Sequence, residues 1–558
     1  MADSSAQTAR RTRALLLIVL ATLTGCAARV RQPPDAGRAE AASATINSAT
    51  LAAPIRFLAD DLFEGRGPGT RGDALARAYV ATEMEEIGLQ PGAADGSWEQ
   101  PVELIGLTAE IPASWDFRRA GQRLRLERND FVATAAVADE RVRIENAEVV
   151  FVGYGIEAPE YQWDDFKGAD VRGKVLLMLN DDPDWDPALF AGKRRLYYGR
   201  WTYKYESAAR HGAVGAIIIH TPQSAAYPWQ TVQTSWSGEN SRLPQRAPSA
   251  LQIQAWVTEP AAEHLAALAG RSLASLVSAA RSRAFTPVPL DVRTSLTVRS
   301  AMRPYATANV IGVLPGTDPA LRDQAVIYTA HHDHLGTKID ANGQPAIYNG
   351  ALDNAAGVAQ LLAIARAFVA APPPRRSVIF LAVAAEEQGL LGSEYYVKHP
   401  TVPPARMVAA INFDGGNIWG ATRDVAAVGY GKSTLDHWAA AAAAEQGRVL
   451  VDERFPERGT FYRSDQFNFA RAGVPVLFVR AGIDYVGRPL DWGREQTDAW
   501  IAQHYHQPTD DFDPTWNFDG MVEDARLGFA VGYALAQSAE TPTWTPGDEF
   551  EAVRTQAH

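Results

Sequence analysis

Val326-Ile327-Tyr328-Thr329-Ala330-His331-His332-Asp333-His334 decides the architecture: an apolar, β-branched run breaks directly into three histidines and an acid. Val326 to Thr329 reads as a buried strand. Side chains alternate faces along a strand, so His331 and Asp333 are expected to point together and His332 and His334 the other way. A histidine with a carboxylate two residues on suits a metal ligand and the acid that fixes its tautomer. Taken alone, the tract is equally a polar loop of surface histidines.

Further apolar strands stand at Val310 to Val313, Val378 to Val383, Val408 to Ile411 and Val474 to Val479, with helical stretches such as Gly357 to Val369 and Leu435 to Glu445 between them. Buried strands alternating with helices predict an α/β fold: a doubly wound, mostly parallel sheet covered on both faces. Ligands of such sheets gather at the carboxyl ends of the strands, and the polar clusters of this sequence stand there. Asp353-Asn354 precedes the helix from Gly357, so one of the pair can cap it while the other faces a cleft. Glu386-Glu387 closes the strand Val378 to Val383, and two adjacent acids there repel each other unless a cation compensates or one stays protonated. Asn412-Phe413-Asp414 follows the strand Val408 to Ile411, and Tyr505-His506-Gln507-Pro508-Thr509-Asp510 comes last.

In this order the motifs read A-H-x-D, G-A-x-D-N, E-E-x-G-L-L-G-S, N-x-D and Y-H-x-P-x-D, and together they resemble the M28 family of zinc-dependent exopeptidases. Ser464-Asp465-Gln466-Phe467 followed by Gly473-Val474-Pro475 adds to the likeness, while Gln507 stands where threonine is more frequent. The resemblance implies two Zn²⁺ ions per chain, bridged by Asp353. One would also take Glu387 and His506, and the other His331 and Asp414. Glu386 would act as general base, Asp333 would support the site, and Tyr462 would assist at the oxyanion or else line the pocket. Peptides are the implied substrates, with an aminopeptidase the first expectation. A carboxypeptidase is the alternative, since Arg458, Arg463 and Arg480 could clamp a terminal carboxylate. A glutaminyl cyclase-like acyltransferase needs one zinc, and a non-catalytic binding relative would be expected to lose ligands.

The resemblance covers about 46–115 and 291–540. Between them, 116–290 carries short β-rich runs with glycine turns and one helical stretch, Lys204 to His211, suggesting a compact sandwich or barrel. This insert resembles a protease-associated (PA) domain. His211 and His220 lie in it without partners and read as structural. Residues 541–558 form a C-terminal tail.

Net charge is −12, which argues against a nucleic-acid partner. The single cysteine, Cys26, excludes an internal disulfide or a cysteine-rich zinc site and leaves His, Asp and Glu to hold any metal. Arg10, Arg11 and Arg13 precede an apolar run, and residues 14–28 carry no charge. That is shorter than the about 20 residues of a membrane span and fits a signal segment over 1–26. Leu23-Thr24-Gly25-Cys26 resembles the bacterial lipobox, which implies export and a lipid anchor on Cys26, with the chain facing the periplasm or the cell exterior; 27–45 then reads as a flexible tether. Cys26→Ala is expected to release the protein from the membrane fraction, and a wild-type mature chain without lipid by mass spectrometry would refute the anchor.

Overall fold

The computed structural model describes residues 34–556, apart from 187–188, 226, 245–248 and 340–342. Cys26 and the signal segment lie outside the described residues. Part of the expected 27–45 tether is structured: Pro34–Ser43 is a helix, α1, which leads into α2 (Ser48–Leu58) in the stretch expected to be folded. Asn47 starts α2 by accepting from the backbone of Ala49 and Thr50, while the Thr50 hydroxyl accepts from the Asn47 N–H at 3.0 Å. Ala42, Leu51, Ile55 and Leu58 are buried against the helix Ala356–Ala370 and its neighbours. Burying each Leu or Ile contributes about 1.5–3 kcal/mol, which docks this segment instead of leaving it loose.

The insert is built from β1 (Glu99–Glu110), β2 (Arg141–Phe151), β3 (Val175–Leu179), helix α3 (Trp201–Arg210), β4 (Gly215–His220), β5 (Ile253–Thr258) and the 27-residue β6 (Val288–Leu314). Strands β2, β3, β4 and β5 are parallel neighbours in that order, with α3 packed against β4. The parallel ladder forms because runs such as Val175-Leu176-Leu177-Met178 are buried on both faces, and the antiparallel strands Phe131–Ala135 and Ser114–Arg119 join it on β5 and β6, so the β-rich insert is a mixed sheet. The boundary expected at 290 falls inside β6, which pairs antiparallel first with β2 and then with β1.

The last residues of β6 carry the chain into the second sheet region. There β7 (Ala325–His331), helix α4 (Ala356–Ala370), β8 (Ser377–Val383), β9 (Met407–Asn412), β10 (Asp424–Val428), β11 (Val476–Ala481) and helix α5 (Asp519–Gln537) follow in turn. Strands run in the order β6-β8-β7-β9-β11-β10; the four central ones are parallel, and β6 and β10 are antiparallel to their neighbours. The architecture is mixed α/β with a large, mostly parallel sheet.

The period of two along β7 sorts its side chains between two cores. Val326, Tyr328 and Ala330 join Leu51, Phe368 and Phe529 on the helical side. Ala325 and Ile327 join Leu381 and Phe478, and the same cluster runs on through Leu177, Ile217 and Val257 of the insert. One core therefore spans the insert and the sheet. The tail belongs to it too: Trp544 and Phe550 are buried, and Glu551–Gln556 is helical.

Helix α5 sits close enough to β7 that the Tyr328 hydroxyl donates to the Gly528 carbonyl at 2.7 Å. A Cβ on Gly532 would lie 1.7 Å from that hydroxyl. Gly532→Ala is expected to push α5 off the sheet and cost about 1–3 kcal/mol in thermal unfolding. An unchanged melting temperature would show that the contact gives way freely.

Candidate metal centre

Each polar cluster is delivered by the end of an element. His331 ends β7, Glu386 and Glu387 follow β8, Asp414 follows β9, Asp353 lies in the turn entering α4, and His506 follows the helix Trp492–Gln503. The structure brings His331, Asp353, Glu387, Asp414 and His506 together. His331 Nε2 lies 3.3 Å from Asp353 Oδ1 and 3.5 Å from Asp414 Oδ1. His506 Nε2 lies 3.2 Å from Asp353 Oδ2 and 3.1 Å from Glu387 Oε2. Asp353 thus offers one oxygen to each side.

His334 was expected to face away, but its Nδ1 is 2.7 Å from Glu387 Oε1, and His334, Asp353 and Glu387 converge as a second ligand-like group beside His331, Asp353 and Asp414. The alternation fails for a physical reason: β7 stops at His331, so the next three residues do not obey strand geometry. His332 does turn away, to Asp73 Oδ1 at 3.1 Å.

Supporting groups set the loops. Asn354 is the capping member of its pair: its Oδ1 accepts from Gly357 N at 2.8 Å and Gly415 N at 2.9 Å, and its amide donates to the Phe413 carbonyl, tying the Asp353 turn to the Asp414 turn. Asp510 accepts from Leu352 N at 2.8 Å and Asp353 N at 3.0 Å. Burial pushes Asp510 up to about 6, partly offset by the Leu352 N–H. Asp333 accepts from Glu386 N at 3.1 Å and Glu387 N at 3.4 Å. It holds His331 Nδ1 through its carbonyl at 3.2 Å, its carboxylate standing off at 3.9 Å, so its carboxylate orients the two glutamates more directly than the histidine. Burial pushes Asp333 up to about 7, with His331 pulling it back.

The electrostatics are those of an uncompensated anionic pocket. Burial opposes the charge on His331, yet Glu386, Asp353 and Asp414 hold its pKa well above the ordinary value. Glu386 is pushed well up by burial, with Glu387, Asp414 and Asp465 adding to it against the pull of His331. Glu386 forms no ion pair among the described residues. His331 Nε2 and His334 Nε2 are buried without a hydrogen-bond partner. Orphaned imidazole nitrogens facing carboxylates fit divalent cations with N and O ligands, and zinc among them.

Tyr462 has a partner on the C-terminal side. Its hydroxyl donates to Glu549 Oε1 at 2.6 Å, toward the C-terminal segment. Of the three arginines that could clamp a carboxylate, Arg458 pairs with Asp498 at 3.1 Å and Arg480 donates to the Asp414 carbonyl at 2.6 Å. Arg463 makes no ion pair among the described residues.

Arg66 gave no sequence signal. It is fully buried and donates to the carbonyls of Leu58 at 2.6 Å, His332 at 2.8 Å and Gly350 at 2.9 Å, and to that of Asn349. Burial lowers its pKa to about 10 against the pull of Asp510, Asp333 and Asp353. Arg66→Met would strand these carbonyls, at about 1–3 kcal/mol for each left unpaired. A melting temperature close to wild type would contradict the anchoring role.

Residues 309–529 match the profile of Peptidase family M28. Mouse aminopeptidase NAALADL1 is 28% identical over 278 residues, 45% of this chain and 33% of the mouse protein. Leupeptin-inactivating enzyme 1 of Streptomyces exfoliatus is 29% identical over 250 residues, 44% of this chain and 51% of that protein. The chain thus spans about a third to a half of the length of these curated relatives. The solved aminopeptidase from Aneurinibacillus sp. strain AM-1 shares the fold, with a TM-score of 0.50 at 18% identity over 90% of this chain and 97% of that one. The matched segment, less than half of the chain, contains β7 to β9 and every member of the cluster, and over it the chain is similar to peptidase family M28.

Proposed function

We propose that the protein is a zinc-dependent exopeptidase of the aminopeptidase type, acting on peptides. The observation that carries this is the pair of ligand groups meeting at Asp353, one through His331 and Asp414 and the other through Glu387 and a histidine. In our reading His331, Asp353 and Asp414 hold one zinc ion and Asp353, Glu387 and His506 a second, with His334 fixing the other oxygen of Glu387. A carboxylate shared between two sites favours this over a single-zinc acyltransferase. The named aminopeptidases among the relatives support the direction, and the retained donor set speaks against a binding protein that has lost catalysis.

Zinc in such a site supplies Lewis acidity that polarises the scissile carbonyl and acidifies water. Glu386, unpaired and beside His331, takes a proton from the attacking water as its oxygen bonds to the carbonyl carbon. It returns that proton to the amine nitrogen as the C–N bond breaks. Asp333 holds the backbone that presents Glu386. The insert is read as a PA-like module walling the cleft, supported by its own parallel ladder and the core it shares with the sheet. Cys26 is read as the lipid-anchored residue of an exported chain, supported by the lipobox resemblance.

Glu386→Gln is expected to lower peptide hydrolysis about a hundredfold or more while zinc content holds, since general acid–base catalysis is worth ~10²- to 10⁴-fold. Glu387→Gln is expected to lose zinc, because an amide is a poorer ligand. Metal analysis beside hydrolysis of leucine p-nitroanilide separates the two: the reverse pattern exchanges their roles, and near-normal turnover of Glu386→Gln would falsify the mechanism.

A further inference from the structure

Three tryptophans stand half-buried around one cavity beside the turn that carries His506. The cavity measures about 310 Å³, at the low end of the about 300–1,000 Å³ usual for small-molecule sites. Trp500 is its central wall: its ring meets Trp419 at 75° with centroids 6.2 Å apart, and Trp516 at 70° with centroids 6.1 Å apart. His504 backs Trp500, stacked at 4.3 Å, and its Nδ1 donates to the Thr509 carbonyl at 2.9 Å. The candidate metal ligands are not among the residues that line this cavity.

Three separate stretches hold the rings. Gln496, Trp500 and Gln503 recur at helical spacing and share one face of the helix Trp492–Gln503, while Asp498 on its opposite face pairs with Arg458 at 3.1 Å. Trp419 N donates to Asn417 Oδ1 at 3.1 Å and Asn517 N to the Ile418 carbonyl at 3.0 Å, which joins the Trp419 stretch to that of Trp516. Asp513 is the acid of the cavity. Its Oδ1 accepts from the Thr515 hydroxyl at 2.7 Å and the Thr515 N–H at 2.8 Å, and these donors hold its pKa below the ordinary carboxylate range, so it is charged at neutral pH. Among the described residues Asp513 forms no ion pair, and no lysine or arginine lines the cavity. Aromatic faces and an unmatched carboxylate both attract a cation, and tryptophan does so most strongly among the rings. Steeply inclined rings suit an ion that meets several of them at once, whereas a sugar needs an open face to stack on, and His504 covers one face of Trp500. A quaternary ammonium also brings no N–H that apolar walls would leave unpaired.

We propose that Trp419, Trp500, Trp516 and Asp513 form a binding site for a small quaternary-ammonium solute of the choline type, separate from the candidate metal centre. A phosphate joined to the same cation would meet the charge of Asp513, so the free solute fits better than a lipid headgroup. The test is calorimetric titration of the full-length protein with choline, with its neutral carbon isostere 3,3-dimethylbutan-1-ol, with phosphocholine and with N-acetylglucosamine. Choline is expected to bind once per chain and at least tenfold more tightly than each of the others. Trp516→Leu and the exposed Asp513→Asn are each expected to weaken choline at least tenfold with the circular dichroism spectrum unchanged. The isostere binding as well as choline would reduce the site to an apolar pocket and overturn the proposal, as would the absence of a choline signal at millimolar concentration. Binding of the sugar in place of choline overturns it in favour of a carbohydrate site, and phosphocholine binding as tightly as choline overturns the free-solute assignment in favour of a headgroup. Because the comparison of choline with its isostere is made on the wild type, it decides the matter even if Trp516→Leu misfolds. Choline binding that survives both substitutions lies elsewhere on the protein and refutes this site.

Discussion

Negative charge gathered in a buried place is the constraint on which the rest of the molecule depends. Asp353, Glu386, Glu387 and Asp414 meet around His331 and His506 at the ends of parallel strands, where mutual repulsion and desolvation both disfavour ionisation. Such a cluster persists only if the chain around it is rigid and a cation compensates it. Backbone N–H groups and buried ions supply the rigidity. Asp333 pins the Glu386-Glu387 backbone, Asp510 pins the Asp353 turn, and Asn354 ties that turn to Asp414.

Arg66 extends this frame outward. One guanidinium collects carbonyls from α2, from the residues after β7 and from the turn before Asp353, three stretches far apart in the chain. Its own charge is tolerated because the carboxylates of the cluster surround it. The N-terminal helices and the candidate centre are therefore parts of one structure, which explains why a segment read as a tether is folded against α4.

The insert plays a comparable part on the other side of the sheet. Strand β6 pairs with β2 of the insert ladder, through two register shifts, and at its far end with β8, and one hydrophobic cluster spans both regions. The loop before α3 is fastened to residues 452–467 by ion pairs and ring packing. The insert is thereby held at a fixed position against the sheet, which a flexibly tethered module could not guarantee.

The sequence by itself determined the alternation of strands and helices, the parallel character of the sheet and the residues that converge at its carboxyl edge. Those features are local: a β-branched run writes a buried strand, and His331, Asp353, Glu387, Asp414 and His506 each adjoin an element end that periodicity marks. It also showed Asp353 and Asn354 as a capping residue and a cleft residue without saying which was which. Tertiary structure decided that Asn354 caps, because Gly415 and Phe413 are there to be bonded. It decided that His334 turns back to Glu387 once β7 ends, that Tyr462 spends its hydroxyl on Glu549, and that Arg458 pairs with Asp498 while Arg480 donates to the Asp414 carbonyl. Partners of this kind lie tens to hundreds of residues away, and their choice depends on which buried donors and acceptors remain unsatisfied after the sheet has closed, a condition no local pattern encodes.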